Sequence, residues 1–328
     1  MKHSDAPLIT HLYTADPSAR VFEGKLYVYP SHDRETDQPD NDLGDQYDMV
    51  DYHVFSMDDA RGPVTDHGVA LTLADVPWAA KQLWAPDAAT SNGRYYLYFP
   101  ARDHAGVFHI GVAVGEHPAG PFKAEPAPIP GSFSIDPCAF TDTDGRAYLY
   151  FGGLWGGQLQ NWCGPRFDPA GREPVGAEPA LCPRVAALAP DMKSFAGPVH
   201  ELRILDEHGA PLRADDHERR FFEAAWMHHR DGVYYFSYST GNTHFLAYAT
   251  ADNPLGPFTY AGRLLEPVVG WTTHHSIVEF KGRWYLFHHD STLSGGVNHL
   301  RCVKIKELVY DEAGRIKVLS PSTTASQD

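Results

Sequence analysis

Residues 84–99 read Trp84-Ala85-Pro86-Asp87-Ala88-Ala89-Thr90-Ser91-Asn92-Gly93-Arg94-Tyr95-Tyr96-Leu97-Tyr98-Phe99. Asn-Gly is a tight-turn dipeptide, because both residues tolerate positive φ. Small residues precede it and an aromatic run follows it, as two short paired strands require. The stretch therefore predicts a β-hairpin whose first strand begins at a Pro-Asp head. The same plan recurs at Asp16-Pro17 to Gly24, then Leu26-Tyr27-Val28-Tyr29, and at Asp136-Pro137 to Gly145, then Tyr148-Leu149-Tyr150-Phe151. It returns at Glu223-Ala224-Ala225 to Gly232, then Tyr234-Tyr235-Phe236, and at His274-His275-Ser276 to Gly282, then Trp284-Tyr285-Leu286-Phe287.

The five turn glycines lie 69, 52, 87 and 50 residues apart, and each interval holds a four-stranded sheet with its loops. A further strand recurs as His109–Val114 running to Gly120-Pro121-Phe122, and as Leu246–Ala249 running to Gly256-Pro257-Phe258. No sustained helical periodicity competes with this pattern. A β-sandwich explains strands but not five copies with matching heads. The sequence predicts an all-β, five-bladed propeller in one domain over residues 1–328, with a polar tail from about 320. Leu308-Val309-Tyr310 is expected to help close the ring, and 163–216 to lengthen the third blade.

In a propeller the inner strands line one central channel, so the five heads converge on one mouth. Asp16, Asp136 and Glu223 then share a funnel with His274. Neighbouring carboxylates raise one another's pKa, which sets a neutral acid beside an ionised base. Carboxyl groups held about 6.5–9.5 Å apart admit the water that an inverting glycosidase needs. Trp84 and Trp155 are the rings available to pack on sugar faces.

Composition narrows the partners. Lys+Arg 27 against Asp+Glu 42 gives a net charge of −15, which disfavours nucleic acid, anionic membrane surfaces and polyanionic substrates. No apolar run approaches a membrane span, and residues 1–5 lack the apolar stretch of a signal peptide. The four cysteines form no CxxC pair. A cytoplasmic setting with reduced thiols is the expectation.

Five motifs taken together resemble glycoside hydrolase family 43: Ala15-Asp16-Pro17-Ser18, Trp84-Ala85-Pro86-Asp87, Ser134-Ile135-Asp136-Pro137, Phe222-Glu223-Ala224-Ala225 and Thr273-His274-His275-Ser276. The likeness runs from about Pro7 to Leu319. It implies a five-bladed, inverting enzyme of the β-xylosidase, α-L-arabinofuranosidase or arabinanase kind. By the resemblance, Asp16 is the general base that activates water and Glu223 the general acid. Asp136 is the carboxylate that orients Glu223 and keeps its pKa high. His274 holds a central Ca²⁺, mostly through waters, and Arg301 contacts hydroxyls of the terminal sugar. The implied substrate is a short xylo-oligosaccharide or an arabinofuranosyl-substituted one, attacked from its end. No β-sandwich follows the propeller, so a loop or a partner subunit in a homo-oligomer is expected to close the site.

Blander readings stand beside these. Asp-Pro pairs start turns, and Trp84 also suits a core. Asp142-Thr143-Asp144-Gly145 resembles the start of a calcium loop but lacks its later glutamate and reads better as a hairpin turn. His228-His229 and His288-His289-Asp290 have no zinc-site spacing around them. His275 is expected to pack or hydrogen-bond nearby. The glycine run around Trp155 lacks a phosphate-loop lysine. The acidic stretch 33–51 reads as a solvated loop or a lid. A non-catalytic propeller that binds sugar or protein is the competing function, disfavoured by three retained carboxylates. A fructosidase is disfavoured by the lack of a Trp-Met-Asn-Asp-Pro segment.

Overall fold

Each of the five turn glycines takes positive φ, from 73° at Gly93 to 84° at Gly145. At four turns the residue before glycine is also left-handed, namely Glu23, Asn92, Asp231 and Lys281. These are two-residue connections whose twist matches that of the strands they join. The third turn is wider. The Gly145 N–H donates to the Asp142 carbonyl, and the Asp142 N–H to that of Arg146. The Asp142 carboxylate accepts the Thr143 N–H and the Tyr234 hydroxyl, which is turn duty. The computed structural model describes residues 6–321. Residues 1–5 and most of the polar tail lie outside the described residues.

The hairpins grow into five blades. Blade 1 orders Tyr13–Phe22, Lys25–Asp33, Asp51–Met57 and Thr65–Thr72 from the axis outward. Blade 2 has Asp87–Ser91 innermost, then Arg94–Asp103, Phe108–Gly115 and Lys123–Ala124, with Ala79–Lys81 beside the second strand. Blade 3 runs Cys138–Thr141, Ala147–Phe151, Arg184–Ala187 and His200–Glu201. Blade 4 runs Glu223–Arg230, Val233–Ser239, Leu246–Ala251 and Phe258–Leu265, edged by the parallel Ile204–Leu205. Blade 5 has His275–Phe280, Arg283–Asp290 and Cys302–Leu308.

Two expectations need adjusting. The 163–216 stretch serves two blades, because Ile204–Leu205 crosses to blade 4. Leu308-Val309-Tyr310 does not close the ring: Leu308 ends a blade 5 strand, and Tyr310 packs on blade 4 against His228 and Tyr235. Closure comes from the N-terminal side. The Leu8 and Thr14 N–H groups donate to the carbonyls of Val303 and Arg301.

The aromatic strands follow the same internal arithmetic in every blade. The residue four places after each turn glycine is Val28, Leu97, Leu149, Phe236 or Leu286, and all five are 0% exposed. Burying one such side chain contributes about 1.5–3 kcal/mol. The repeat is thus a packing unit first. The polar heads sit at the other end of the same hairpins, and in blades 1 and 4 the inner strand breaks register there.

Candidate active site

The break in register aims the heads. Pairing between Tyr13–Phe22 and its neighbour shifts between Ala15 and Ser18, and Asp16 takes φ 46°. In blade 4 the shift lies between Glu223 and Trp226, with Ala224 at φ 63°. In blade 3, Asp136 is itself left-handed at φ 58°. Such conformations cost on the order of 1–3 kcal/mol at non-glycine residues and redirect side chains off the regular pleat. Asp16, Asp136, Glu223, His274, Arg301, Trp84 and Trp155 all line one cavity of about 230 Å³. Asp87, the head of blade 2, does not. It turns into the channel, where it accepts from Ser18, from both ends of the Arg20 guanidinium and from the Ala88 and Ala139 N–H groups.

Asp16 is 6% exposed. Its Oδ1 accepts from Arg301 Nη1 at 3.0 Å, and its Oδ2 from the Ser31 hydroxyl at 2.7 Å. Burial by itself raises its pKa, but the Arg301 charge together with His289 and His274 outweighs that and holds the carboxyl far below the usual carboxylate range. The Asp16 N–H donates to His289 Nδ1 at 2.9 Å, while His289 Nε2 reaches the Thr272 carbonyl at 3.0 Å. His289 therefore carries its proton on Nε2 and anchors the bulged backbone of Asp16.

Arg301 is 3% exposed. It forms a two-pronged pair with Asp33, at 2.8 and 2.7 Å, and also donates from Nη1 to Thr272 at 3.1 Å. Of its five N–H donors these bonds engage four, leaving one Nη2 proton for a ligand hydroxyl. Its guanidinium also lies over the Tyr47 ring, 4.8 Å from the centroid.

Glu223 meets different surroundings. Burial, then repulsion from Asp16, pushes its carboxyl up to about 8, against a smaller opposing pull from Arg301. At neutral pH it is mostly protonated. Asp136 is 4% exposed, and burial, then the charges of Glu223 and Asp16, drives its pKa well up. Its Oδ2 accepts the Ala224 N–H at 2.7 Å, so it fixes the bulge next to Glu223 through the backbone. The rise in Glu223 comes from burial and Asp16.

His274 places Nδ1 3.6 Å from Asp16 and 3.8 Å from Asp136. Burial lowers its pKa to about 4, so the ring is neutral. Neither distance is a hydrogen bond, and a neutral imidazole nitrogen beneath carboxylates suits an ion held by one histidine and otherwise by water. His275 is fully buried and bonded to Ser237, at 2.6 Å.

Trp84 and Trp155 form two walls. Trp84 donates from Nε1 to the Tyr47 carbonyl and packs on Phe108 at 4.6 Å. Trp155 donates to Glu173 and packs on Phe222 and Trp271 at 5.1 and 5.5 Å.

The acidic stretch is a solvated loop over most of 34–43 and a buried wall elsewhere. Asp33 is 2% exposed under Arg301, and Met49 is 1% exposed. Asp40, Gln46, Tyr47 and Met49 line the cavity, and Gly44 lies so close to the Trp84 ring that a Cβ there would fall 2.5 Å from it. Loop composition hid a wall held by a few buried residues. Sequence reasoning also passed over Asp33, Thr272 and Trp271. Trp271 and Thr272 stand just before the His274 motif, which is the signal that was available.

Comparison with known proteins follows from this geometry. A sequence profile described as glycosyl hydrolases family 43 matches residues 9–316. The chain is 64% identical to xylosidase/arabinosidase 43A of Humicola insolens, over 96% of this chain and 99% of that protein. It is 56% identical to a xylosidase/arabinosidase of Bacteroides ovatus, over 96% and 98% of the two. Among solved structures it is similar to CoXyl43, a GH43 β-xylosidase/α-arabinofuranosidase from a compost microbial metagenome, described in complex with xylotriose in a calcium-free form. That match has a TM-score of 0.95 at 59% identity and covers 96% of this chain and 97% of the other.

Proposed function

The chain belongs to family 43 of the glycosyl hydrolases, and from that premise we propose that it is an inverting, exo-acting enzyme that releases xylose or arabinofuranose from short hemicellulose-derived oligosaccharides. The relatives at 64% and 56% identity carry both xylosidase and arabinosidase in their names, and the similar structure holds xylotriose. One observation carries the assignment of roles. Two carboxyl groups of a single cavity are driven to opposite protonation states, Asp16 ionised and Glu223 protonated up to about pH 8.

Asp16 is the general base. Arg301 and Ser31 fix both its oxygens and keep it charged, so it takes a proton from the attacking water as that water meets the anomeric carbon. Glu223 is the general acid. Its proton passes to the glycosidic oxygen as the C–O bond breaks, and the developing positive charge on the sugar ring is faced by the Asp16 carboxylate. Asp136 is a positioning residue that holds the Ala224 N–H and with it the bulge that aims Glu223. The remaining Nη2 proton of Arg301 is available to a sugar hydroxyl, and Trp84 and Trp155 offer apolar walls.

His274 is the residue that would hold Ca²⁺, and the ion, when bound, supplies positive charge beneath the carboxylates. The four cysteines are unpaired, which supports a reducing, cytoplasmic setting. Turnover of 4-nitrophenyl β-D-xyloside and α-L-arabinofuranoside, with proton NMR of the first product, tests the proposal. α-Xylose is expected first from the xyloside; β-xylose first contradicts a water-activating role for Asp16.

A further inference from the structure

Blade 1 carries a second cluster of ligating groups, away from the cavity. His32 stands next to last in the strand Lys25–Asp33, and Asp51 opens the strand Asp51–Met57. His32 Nδ1 lies 2.6 Å from Asp51 Oδ1. His53 lies two residues beyond Asp51, and the pleat puts i and i+2 on one face. Its ring is 5.1 Å from that of His32, edge to face. One ligand atom from each of the three lies within 4.8 Å of the others. All three side chains are mostly buried yet retain solvent access, His32 and Asp51 at 20% and His53 at 15% exposure.

A fourth residue prepares the set. Asp66 Oδ1 faces His53 Nδ1 at 3.3 Å, and its Oδ2 takes His11 Nε2 at 2.8 Å. The same carboxylate accepts the Gly68 N–H at 2.7 Å, which fixes its position. A carboxylate on one imidazole nitrogen keeps the proton there and leaves the other nitrogen, Nε2, with its lone pair free. Metal-binding histidines are oriented in this way.

We propose that His32, Asp51 and His53 bind a divalent transition-metal ion of the zinc class, with water completing the shell. Two imidazoles and one carboxylate favour such an ion over Ca²⁺, which takes oxygen ligands, so this site is separate from the one at His274. The proton shared by His32 and Asp51 leaves to solvent as the ion replaces it. Their ligand atoms then move apart from 2.6 Å to about 3.3 Å, the span two ligands subtend at tetrahedral zinc. Side-chain rotation supplies a change of that size.

The position gives the ion a task. His32 and Asp51 sit at the two ends of residues 34–50, the segment that carries Asp40, Tyr47 and Met49 into the cavity wall. On either side of His32, Ser31 and Asp33 face the other way, onto Asp16 and Arg301. An ion at this neck clamps the base of the wall and stiffens the strand that holds the base.

The test is Co²⁺ titration of tag-free, metal-stripped protein, followed by visible absorption. The His274→Ala variant is the parent, so that the central site does not contribute. One equivalent is expected to bind the parent with an intense tetrahedral-type spectrum, and Zn²⁺ is expected to displace it. His53→Gln and His32→Gln, each made separately in case one fails to fold, should weaken binding at least a hundredfold. Asp66→Asn should weaken it about 10–100-fold with the ligands intact. Unchanged Co²⁺ affinity in a folded His53→Gln or His32→Gln protein overturns the proposal, and so does a parent that binds no Co²⁺.

Discussion

The heads of blade 1 and blade 4 are built alike and held in opposite protonation states. Each sits where an inner strand slips register, with a left-handed residue in the bulge, Asp16 itself in one and Ala224 in the other. Each is held by a partner from another blade: His289 anchors the Asp16 N–H, and Asp136 the Ala224 N–H. The repeat therefore delivers two carboxyl groups with the same kind of aim. Their chemistry diverges through what surrounds them. Asp16 meets Arg301 and Ser31, while Glu223 meets no cation strong enough to offset burial and the Asp16 charge. Symmetry places the pair, and groups that the repeat does not share, such as Arg301 with its partner Asp33, set the two protonation states apart.

The comparison breaks most severely if the ionised head is neutralised. Asp16→Asn keeps the size and the Ser31 contact but cannot take a proton from water. Loss of about 10⁴-fold in kcat is expected on every substrate, whatever its leaving group. Glu223→Ala should behave differently. On xylobiose, a poor leaving group, about 10²–10⁴-fold is lost, whereas activated aryl xylosides lose much less because they depart without protonation. Equal sensitivity of both variants to leaving-group pKa would show that the two heads do not divide the work.

Arg301→Met probes the cause of the division. It leaves Asp16 and Asp33 buried without their cation, which costs about 3–5 kcal/mol of stability by analogy with broken buried pairs. The pH dependence carries the sharper information. In the parent, activity is expected to decline as pH rises past about 8, where Glu223 loses its proton, with the acid limb far down because Asp16 stays ionised. Without Arg301 the Asp16 pKa rises, so the acid limb of kcat/KM should move to higher pH. The alkaline limb should not move down, since Arg301 lowers the Glu223 pKa and its removal can only raise it. An acid limb that stays in place assigns the low pKa of Asp16 to something other than the arginine.

The blades were legible because one periodicity writes both packing and turn. Gly93 and Leu97 stand four apart, as do Gly282 and Leu286, and each pair fixes a hairpin and its buried face. The heads were legible for the same reason: they occur at a fixed place in a repeated unit. Asp33 was not, because a buried carboxylate and a solvated one look alike in an acidic run, and only the partner 268 residues away distinguishes them. Ring closure was misjudged on similar grounds. A C-terminal strand and an N-terminal segment are equally able to complete a blade, and the choice is made by contacts such as Leu8 with Val303. His32, Asp51 and His53 carry no spacing motif, since two of the three lie on opposite sides of a long loop.

The smallest expected effect separates the two heads without any substrate. The Glu223 carboxyl has an ordinary value of 4.5 and titrates near 8 in the folded protein. Below about pH 4 it is protonated both folded and unfolded and contributes nothing to pH dependence. Between those values the unfolded chain ionises and the folded one does not, so the folded state binds more protons and stability falls as pH rises. Above about 8 the loss is complete. Glu223→Gln removes that group, so its Tm should match the parent near pH 4 and exceed it increasingly up to about pH 9, by roughly 2–4 °C for each kcal/mol recovered. Asp16 has the opposite sign. Its folded pKa is depressed, so its contribution is present above the ordinary carboxylate range, and Asp16→Asn should lower Tm at neutral pH while converging on the parent in acid. Scanning calorimetry of both variants from about pH 2 to 9 reads the two curves, because the Asp16 contribution is lost only below the ordinary carboxylate value of 3.8. If they diverge from the parent in the same direction, the heads share one environment and the division of acid from base is wrong.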